Sequence, residues 1–341
     1  MNVTIKDLAR VSGVGISTVS RVLNGSGPVS QDKRERVMQA VRELNYVPNT
    51  NARNLRKSES NTVLILTKSI INPFFQKIIN NMEKILRMRG LSLEIRNVGY
   101  YEEEMVIARR ESISGNLCGI IIMGGVFGYT NEDFEAIGVP CVLVTIRASE
   151  RVNPELYSSV IIDDAKEMER VTEQLIREGH RRIGCIYTQH NEEHTPNTLR
   201  AMGYRNALVN NGINVDPKLM ASPFSRYPSG YEFAFQTMMW MMEKNPDMTA
   251  VVCMSDILAI GAAKAVLVSG KRIPEDISIV GFDGTDEAEY FHPALDTVVQ
   301  PAEQFARHAA DALSRMMAGE KSTHTVLRCQ LMKRGSCRSI L

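Results

Sequence analysis

No apolar run in this sequence approaches the ~20 residues that a membrane-spanning helix requires, which excludes a helical membrane protein. The opening stretch, Met1 to Asp7, has no basic segment followed by an apolar one, so no secretion signal is expected. Cysteine is sparse, with six residues spread singly and none in Cys-x-x-Cys spacing. Four of them (Cys118, Cys141, Cys185 and Cys253) sit in or beside apolar, strand-like runs, where a free thiol packs as a small core residue. That usage predicts a reducing, cytoplasmic setting. Catalytic signatures are missing as well. Gly124-Gly125-x-x-Gly128 is not the Gly-x-Gly-x-x-Gly of a dinucleotide loop and lacks the later acidic ribose partner, and no nucleophile–base pairing is visible. His190-Asn191-Glu192-Glu193-His194 matches the His-x-x-Glu-His pattern of some zinc peptidases, a chemistry that needs both histidines on one helical face. Here the run stands between a strand-like IGCIY and Thr195-Pro196, so it reads as a loop at the rim of a cleft. No metal, cofactor or catalytic residue is expected, and no enzymatic turnover.

What is present is a soluble globular composition, 44% hydrophobic and 23% charged, over 341 residues, which suits two or three units rather than one domain. The overall charge of +1 conceals an asymmetry: residues 1–60 carry a net +5 and the remainder −4. A small basic unit on a mildly acidic body has the electrostatics of a polyanion-binding module.

Three zones follow one another. Residues 1–47 hold short helical patterns without a strand signal. Residues 48–61, PNTNARNLRKSESN, are polar and read as a linker. From 62 to 341, apolar runs rich in β-formers recur: VLIL at 63, LSLEI at 91, CGIII at 118, CVLV at 141, IGCIY at 183, AVVCM at 250 and SIVGF at 278. Between them lie helical spacings such as Phe74, Ile78, Ile79, Met82, Ile85 and Leu86. The alternation predicts an α/β fold with parallel sheets covered on both faces, in two βα subdomains with a ligand cleft between facing strand ends. The MMWMM run at 238–242 reads as helix packing.

In the first zone, TIKDLARVSGVGISTVSRVLNG predicts two helices and a tight turn. Thr4 caps a helix from Ile5, with Asp7 favouring the positive end of its dipole and Ile5, Leu8 and Ala9 forming the buried stripe. Gly13 supplies the left-handed residue of the turn. A second helix, about Ile16 to Leu23, buries Val19 and Val22 and turns Ile16, Ser17, Ser20 and Arg21 outward. A third starts after Ser30, buries Val37, Val41 and Leu44, and ends before Pro48.

These residues closely resemble the headpiece of the LacI/GalR family of ligand-responsive transcriptional regulators. The resemblance implies an all-α helix-turn-helix headpiece whose second helix enters the major groove of a palindromic DNA operator. It makes Ile16, Ser17 and Arg21 base readers, and Thr4, Thr18, Ser20 and Asn24 phosphate contacts. Gly15 departs from the family's usual capping Ser. Ala52-Arg53-x-Leu55 resembles the family's hinge helix, which pairs with its dimer mate in the minor groove; Leu55 is then the wedge that unstacks a base step. Further matches run to the C-terminus: NPFF (72–75), IIDD (161–164), LIREGHRRIG (175–184), LRAMGY (199–204), MSDILAIGA (254–262), IPEDISIVGFDG (273–284), ALDTVVQP (294–301) and LMKRGS (331–336).

What these imply is a domain like the periplasmic sugar-binding proteins, with three crossovers near Ile162, His292 and Ser322. The two subdomains are then about 62–161 with 293–321, and 162–292 with 322–341. Carried over from the family, Arg200 forks onto ligand hydroxyls or a carboxylate, Asp283 accepts from the ligand, Phe74 and Phe75 supply an aromatic lid, and Ser255 is a polar cleft residue. Thr145 stands where many members have Asp. His194 and Pro196 replace the polar groups of purine-responsive members, which speaks against a nucleobase. The expected protein is a homodimeric, cytoplasmic repressor gated by a sugar or sugar phosphate; a solute-binding receptor or an α/β enzyme of sugar metabolism is the alternative. Leu55→Ala should reduce the measured bending of the operator and weaken specific binding far more than binding to random DNA. A variant that bends the operator like the parent overturns the wedge role.

Overall fold

A computed structural model of the chain describes residues 5–24, 28–44, 60–68, 71–99, 102–114, 116–125, 128–188, 195–220 and 230–341. Thr4, the hinge residues Ala52, Arg53 and Leu55, and residues 190–194 lie outside them, as do the side chains of Ile5 and Asn24.

Apolar residues at helical spacing build the N-terminal unit from α1 (Ile5–Ser12), α2 (Ile16–Asn24) and α3 (Gln31–Glu43). Leu8, Val14, Val19, Val22, Val37 and Ala40 form its core, with Ala9, Val41 and Leu44 only partly buried around it. Gly13 takes φ +63° in the turn, as the spacing requires. Ser30 holds the N-cap position of α3 in extended conformation, yet its hydroxyl makes no capping bond; its carbonyl accepts from the Arg34 amide at 3.1 Å.

Ser60 leads into the second unit, where each of the seven runs rich in β-formers named above forms a strand. The first sheet contains β1 (Thr62–Thr67), β2 (Ser92–Asn97), β3 (Leu117–Met123), β4 (Cys141–Val144), β5 (Ser158–Ile162) and β10 (His324–Leu327), in the order β10-β5-β4-β3-β1-β2 and parallel throughout. Side chains alternate across a sheet, so a run buried on both faces must be apolar throughout. Val63, Ile65, Ile121 and Val142 face α4 (Pro73–Met88) and α12 (Ala302–Met317), whereas Leu64, Leu66, Ile120 and Leu143 face α5 (Glu104–Ser114) and α6 (Asn131–Ile137). The second sheet runs β11-β9-β8-β7-β6: β6 (Ile183–Ile186), β7 (Ala250–Cys253), β8 (Ser278–Asp283) and β9 (Asp296–Val299) are parallel, and β11 (Gln330–Met332) is antiparallel to β9. The helices α7 (Asp164–Arg177), α8 (Pro196–Asn210), α9 (Tyr231–Lys244), α10 (Asp256–Val268) and α11 (Asp286–Tyr290) belong to this half. Met238, Met241 and Met242 of α9 are buried, which accounts for most of the MMWMM run as packing.

Sheet membership locates the three crossovers. The first follows Ile162, as expected. The second does not lie near His292: β9 still pairs with β8, and the chain returns to the first sheet only through Gln300 and Pro301 into α12. The third is not near Ser322 either, because β10 pairs with β5 and the chain leaves after Leu327 for β11. The second and third expected boundaries therefore each fall one strand too early. The strands concerned are short, and DTVV, HTVL and QLM carry too few apolar residues to announce themselves.

α7 and α8 pack so closely that a Cβ added at Gly203 would lie 2.0 Å from the Ala165 carbonyl oxygen. Gly203→Ala must push the two helices apart, at a cost of about 1–3 kcal/mol. The loss should appear as a lower melting temperature, roughly 2–4 °C per kcal/mol. An unchanged melting temperature would contradict this packing.

Candidate functional site

On α2 the alternation of buried and outward residues separates structure from function. Val19 and Val22 anchor the helix, Ile16, Ser17 and Arg21 are exposed, and Thr18 and Ser20 are half-buried. An isoleucine left 47% exposed at the start of a helix is apolar surface available for contact. Gly15 stands before this helix with open space around its Cβ position, and its carbonyl accepts from the amides of Thr18 (2.8 Å) and Val19 (3.0 Å). Backbone capping thus survives without the serine hydroxyl.

The second constellation lies between the halves of the sensing unit, where the C-terminal ends of both sheets face each other. Arg200, in the second turn of α8 behind the Thr195 cap and Pro196, is 7% exposed. Its Nε donates to Asp164 Oδ1 at 2.7 Å and its Nη1 to the carbonyl of Met254. Nη1 also lies 3.8 Å from Asp283 Oδ1, and the guanidinium stacks 3.7 Å above the Phe282 ring. Arg200 and Asp283 are therefore brought together as expected, although Arg200 is already engaged by Asp164, which the sequence reading did not include.

Asp283 ends β8 at φ +117°, a backbone conformation that L side chains rarely adopt. Gln300 Nε2 donates to its Oδ1 at 2.7 Å, and the Asn72 side chain reaches it from the opposite half. Asn72 Oδ1 simultaneously caps α4 by accepting from the Phe74 amide at 2.9 Å. Burial pushes the Asp283 carboxyl up to about 7, against the opposing pull of Arg200 and with the Asp256 charge adding to the rise. Asp164 is also raised by burial, which outweighs its ion pair with Arg200. Asp256, pushed up to about 6 by burial, is structural: it accepts from Thr297 Oγ1 at 2.6 Å and from the Thr285 amide at 2.7 Å.

One of the expected ligand residues reads differently in the structure. Phe74 is only 3% exposed and packs edge-on against Phe305 at 5.9 Å, so it is a core residue. Phe75 alone keeps a partly exposed ring, set against Gly124. Ser255 caps α10 at the end of β7, its oxygen accepting from the Leu258 amide at 3.3 Å. Gln300 was missed; its only sequence signal was its place beside the ALDTVV run, whose strand was itself unread. Among the described residues no group of three or more His, Cys, Asp or Glu is arranged to hold a metal.

Comparison with known proteins follows this division. Residues 4–49 match the family described as bacterial regulatory proteins, lacI family, and residues 172–337 match the periplasmic binding protein-like domain. The HTH-type transcriptional regulator MalR of Clostridium butyricum is 36% identical, covering 98% of this chain and 99% of that one. The HTH-type transcriptional repressor CytR of Escherichia coli is 32% identical over 99% and 97%. A solved complex of the transcriptional regulator CelR with cellobiose superposes with a TM-score of 0.70 at 29% identity, covering 98% of this chain and 100% of that one.

The raised carboxyl of Asp283 makes a pH prediction. Folding favours its protonated form, so this contribution to stability is fully present below the ordinary carboxylate pKa and is lost as pH rises through about 7. Asp256 acts in the same direction up to about 6. Asp283→Asn stays neutral at every pH and should flatten the fall in melting temperature, most clearly between about pH 4 and 7, the interval between its ordinary and its raised value. Parallel pH profiles of parent and variant would show that Asp283 is not the titrating group.

Proposed function

This chain belongs to the LacI family of bacterial regulatory proteins, and we propose that α2 reads each operator half-site while a carbohydrate between the two halves of the sensing unit gates that contact. The protein is a DNA-binding transcriptional regulator that acts as a homodimer, and two headpieces suit a palindromic operator. The observation that carries the DNA reading is the outward face of α2, where Ile16, Ser17 and Arg21 are exposed on a basic unit. Arg21 supplies a bidentate donor for guanine, and Ile16 an apolar contact for a thymine methyl. Thr18 and Ser20, with Thr4 and Asn24, are assigned to phosphates. Ala52, Arg53 and Leu55 are assigned to the minor groove.

For the effector we assign Arg200, Asp283, Ser255 and Phe75, and add Asp164 and Gln300. Phe74 is left to the core. CelR was solved with cellobiose, and a sugar here is consistent with a cleft lined by carboxylates, amides and a ring face. A ligand that touches both halves prefers one closure angle, and only such differential affinity shifts the dimer between DNA-binding states. The relatives matched along the whole chain are regulators and repressors rather than receptors or enzymes, so we read the protein as a repressor without turnover. Its workplace is the cytoplasm, where operator DNA is found; no helix among the described residues is long and apolar enough to cross a membrane.

Operator affinity should fall about 10³–10⁵-fold between 50 and 200 mM salt if the dimer touches 6–10 phosphates. Arg21→Ala should cost about 1–3 kcal/mol and relax base choice at one position per half-site. Binding titrations on the operator and on scrambled DNA test both. Equal affinity for the two sequences, or an Arg21→Ala variant with parental base preference, would overturn the assignment.

A further inference from the structure

We infer that Lys68, Glu104 and Thr145 form a hydroxyl-binding subsite in the N-terminal half of the cleft, which takes an uncharged carbohydrate in preference to a phosphate ester. This rests on the reading of the cleft as a carbohydrate site.

The sheet register brings the groups together. Thr67 pairs with Met123, and Met123 with Val144, so the next residues, Lys68, Gly124 and Thr145, stand side by side at the ends of β1, β3 and β4. At about 4.8 Å per strand, Lys68 and Thr145 are some 10 Å apart, roughly the span of a disaccharide, with a residue lacking a side chain between them. Glu104, the first residue of α5, reaches this row after β2. Its side chain is fully buried, and Oε1 lies 3.1 Å from Lys68 Nζ, itself 20% exposed. A Cβ at Gly125 would come within 2.7 Å of Glu104 Oε1 and 2.6 Å of the Tyr129 hydroxyl, so glycine there is what lets these polar atoms gather.

Thr145 provides an independent sign of a ligand. It is 8% exposed, holds φ +66°, and its Oγ1 has no hydrogen-bond partner among the described residues. A strained backbone and an unsatisfied buried hydroxyl together mark a functional position. On the opposite wall, the buried Gln300 Oε1 is unsatisfied in the same way.

The charge balance selects the ligand. Lys68 is matched by Glu104, and Arg200 by Asp164 with Asp283 3.8 Å away. Among the described residues of this cluster each cation already faces a carboxylate, so a phosphate would enter a desolvated site with no surplus positive charge to compensate it. A sugar hydroxyl donates to a carboxylate and accepts from an ammonium or hydroxyl, which suits Lys68, Glu104 and Thr145 together.

The test is calorimetry on the full-length protein with neutral mono- and disaccharides, cellobiose and ribose among them, and with their phosphate esters. At least one neutral sugar should bind, and its ester about tenfold more weakly or worse. Glu104→Gln and Thr145→Val should each weaken the neutral sugar about tenfold, as expected when a hydrogen bond to the ligand is lost. Thr145→Val keeps the side-chain shape, so it remains informative if Glu104→Gln does not fold. An ester that binds as well as the free sugar, or a folded Thr145→Val that binds like the parent, would overturn the inference while leaving the carbohydrate reading intact. If neither panel binds, the carbohydrate reading fails and the inference with it.

Discussion

A guanidinium keeps its charge when it loses its water, so a buried arginine must be surrounded by acceptors or the fold around it does not hold. Arg200 is in that position, and the acceptors it collects come from separate parts of the chain: Asp164 at the start of α7, the Met254 carbonyl at the end of β7, and Asp283 at the end of β8. The network then reaches each crossover. Asp164 follows the first directly, and Gln300, which donates to Asp283, lies on the second. The third is held from α7, where Arg170 donates to the Cys329 carbonyl at 3.2 Å and Glu167 accepts from the Cys329 amide at 3.4 Å. Asn72 brings in the opposite half, and Lys77 pairs with Asp286 across the same boundary at 3.2 Å. One desolvated charge thus ties together the ends of β7 and β8 and the first two crossovers, while α7 holds the third through separate contacts.

Much of this was legible in the sequence where burial is two-sided. VLIL and CGIII must be strands in a covered parallel sheet because no residue in them tolerates water. The headpiece was equally clear, since Val19 and Val22 leave one orientation for α2. Legibility failed where an element is short or held by polar contacts. SSVII takes its place through strand pairing, and DTVV through pairing together with Asp256 and Ser336, which accept from the Thr297 hydroxyl and the Asp296 amide. Paired phenylalanines look alike on paper; only the helix packing decides that Phe74 meets Phe305 while Phe75 keeps a partly exposed ring beside Gly124. Gln300 and Asp164 were invisible for a similar reason, because their roles depend on partners 17 and 36 residues away.

The two functional surfaces follow opposite design rules. α2 offers exposed groups on a helix whose inner face is fixed, which suits a partner as extended as a DNA groove. The cleft instead removes its charged groups from solvent and balances them against one another. A salt-dependent contact and a salt-insensitive one are therefore expected of a single chain.

The close approach at Gly203 bears on how such a sensor diversifies. Gly203 stands one turn after Arg200, and its backbone rests against Ala165, next to the residue that holds the guanidinium. α7, α8 and the arginine they carry are consequently locked in register, and little drift is tolerated on that wall. The opposite wall is built from strand-end residues such as Lys68, Gly124 and Thr145, none of which is wedged between two helix backbones as Gly203 is, although Gly124 lies against the Phe75 ring. Over a lineage, new ligand tastes should accumulate on the N-terminal wall while the arginine wall stays put, so the history of what this regulator has sensed is written in the former.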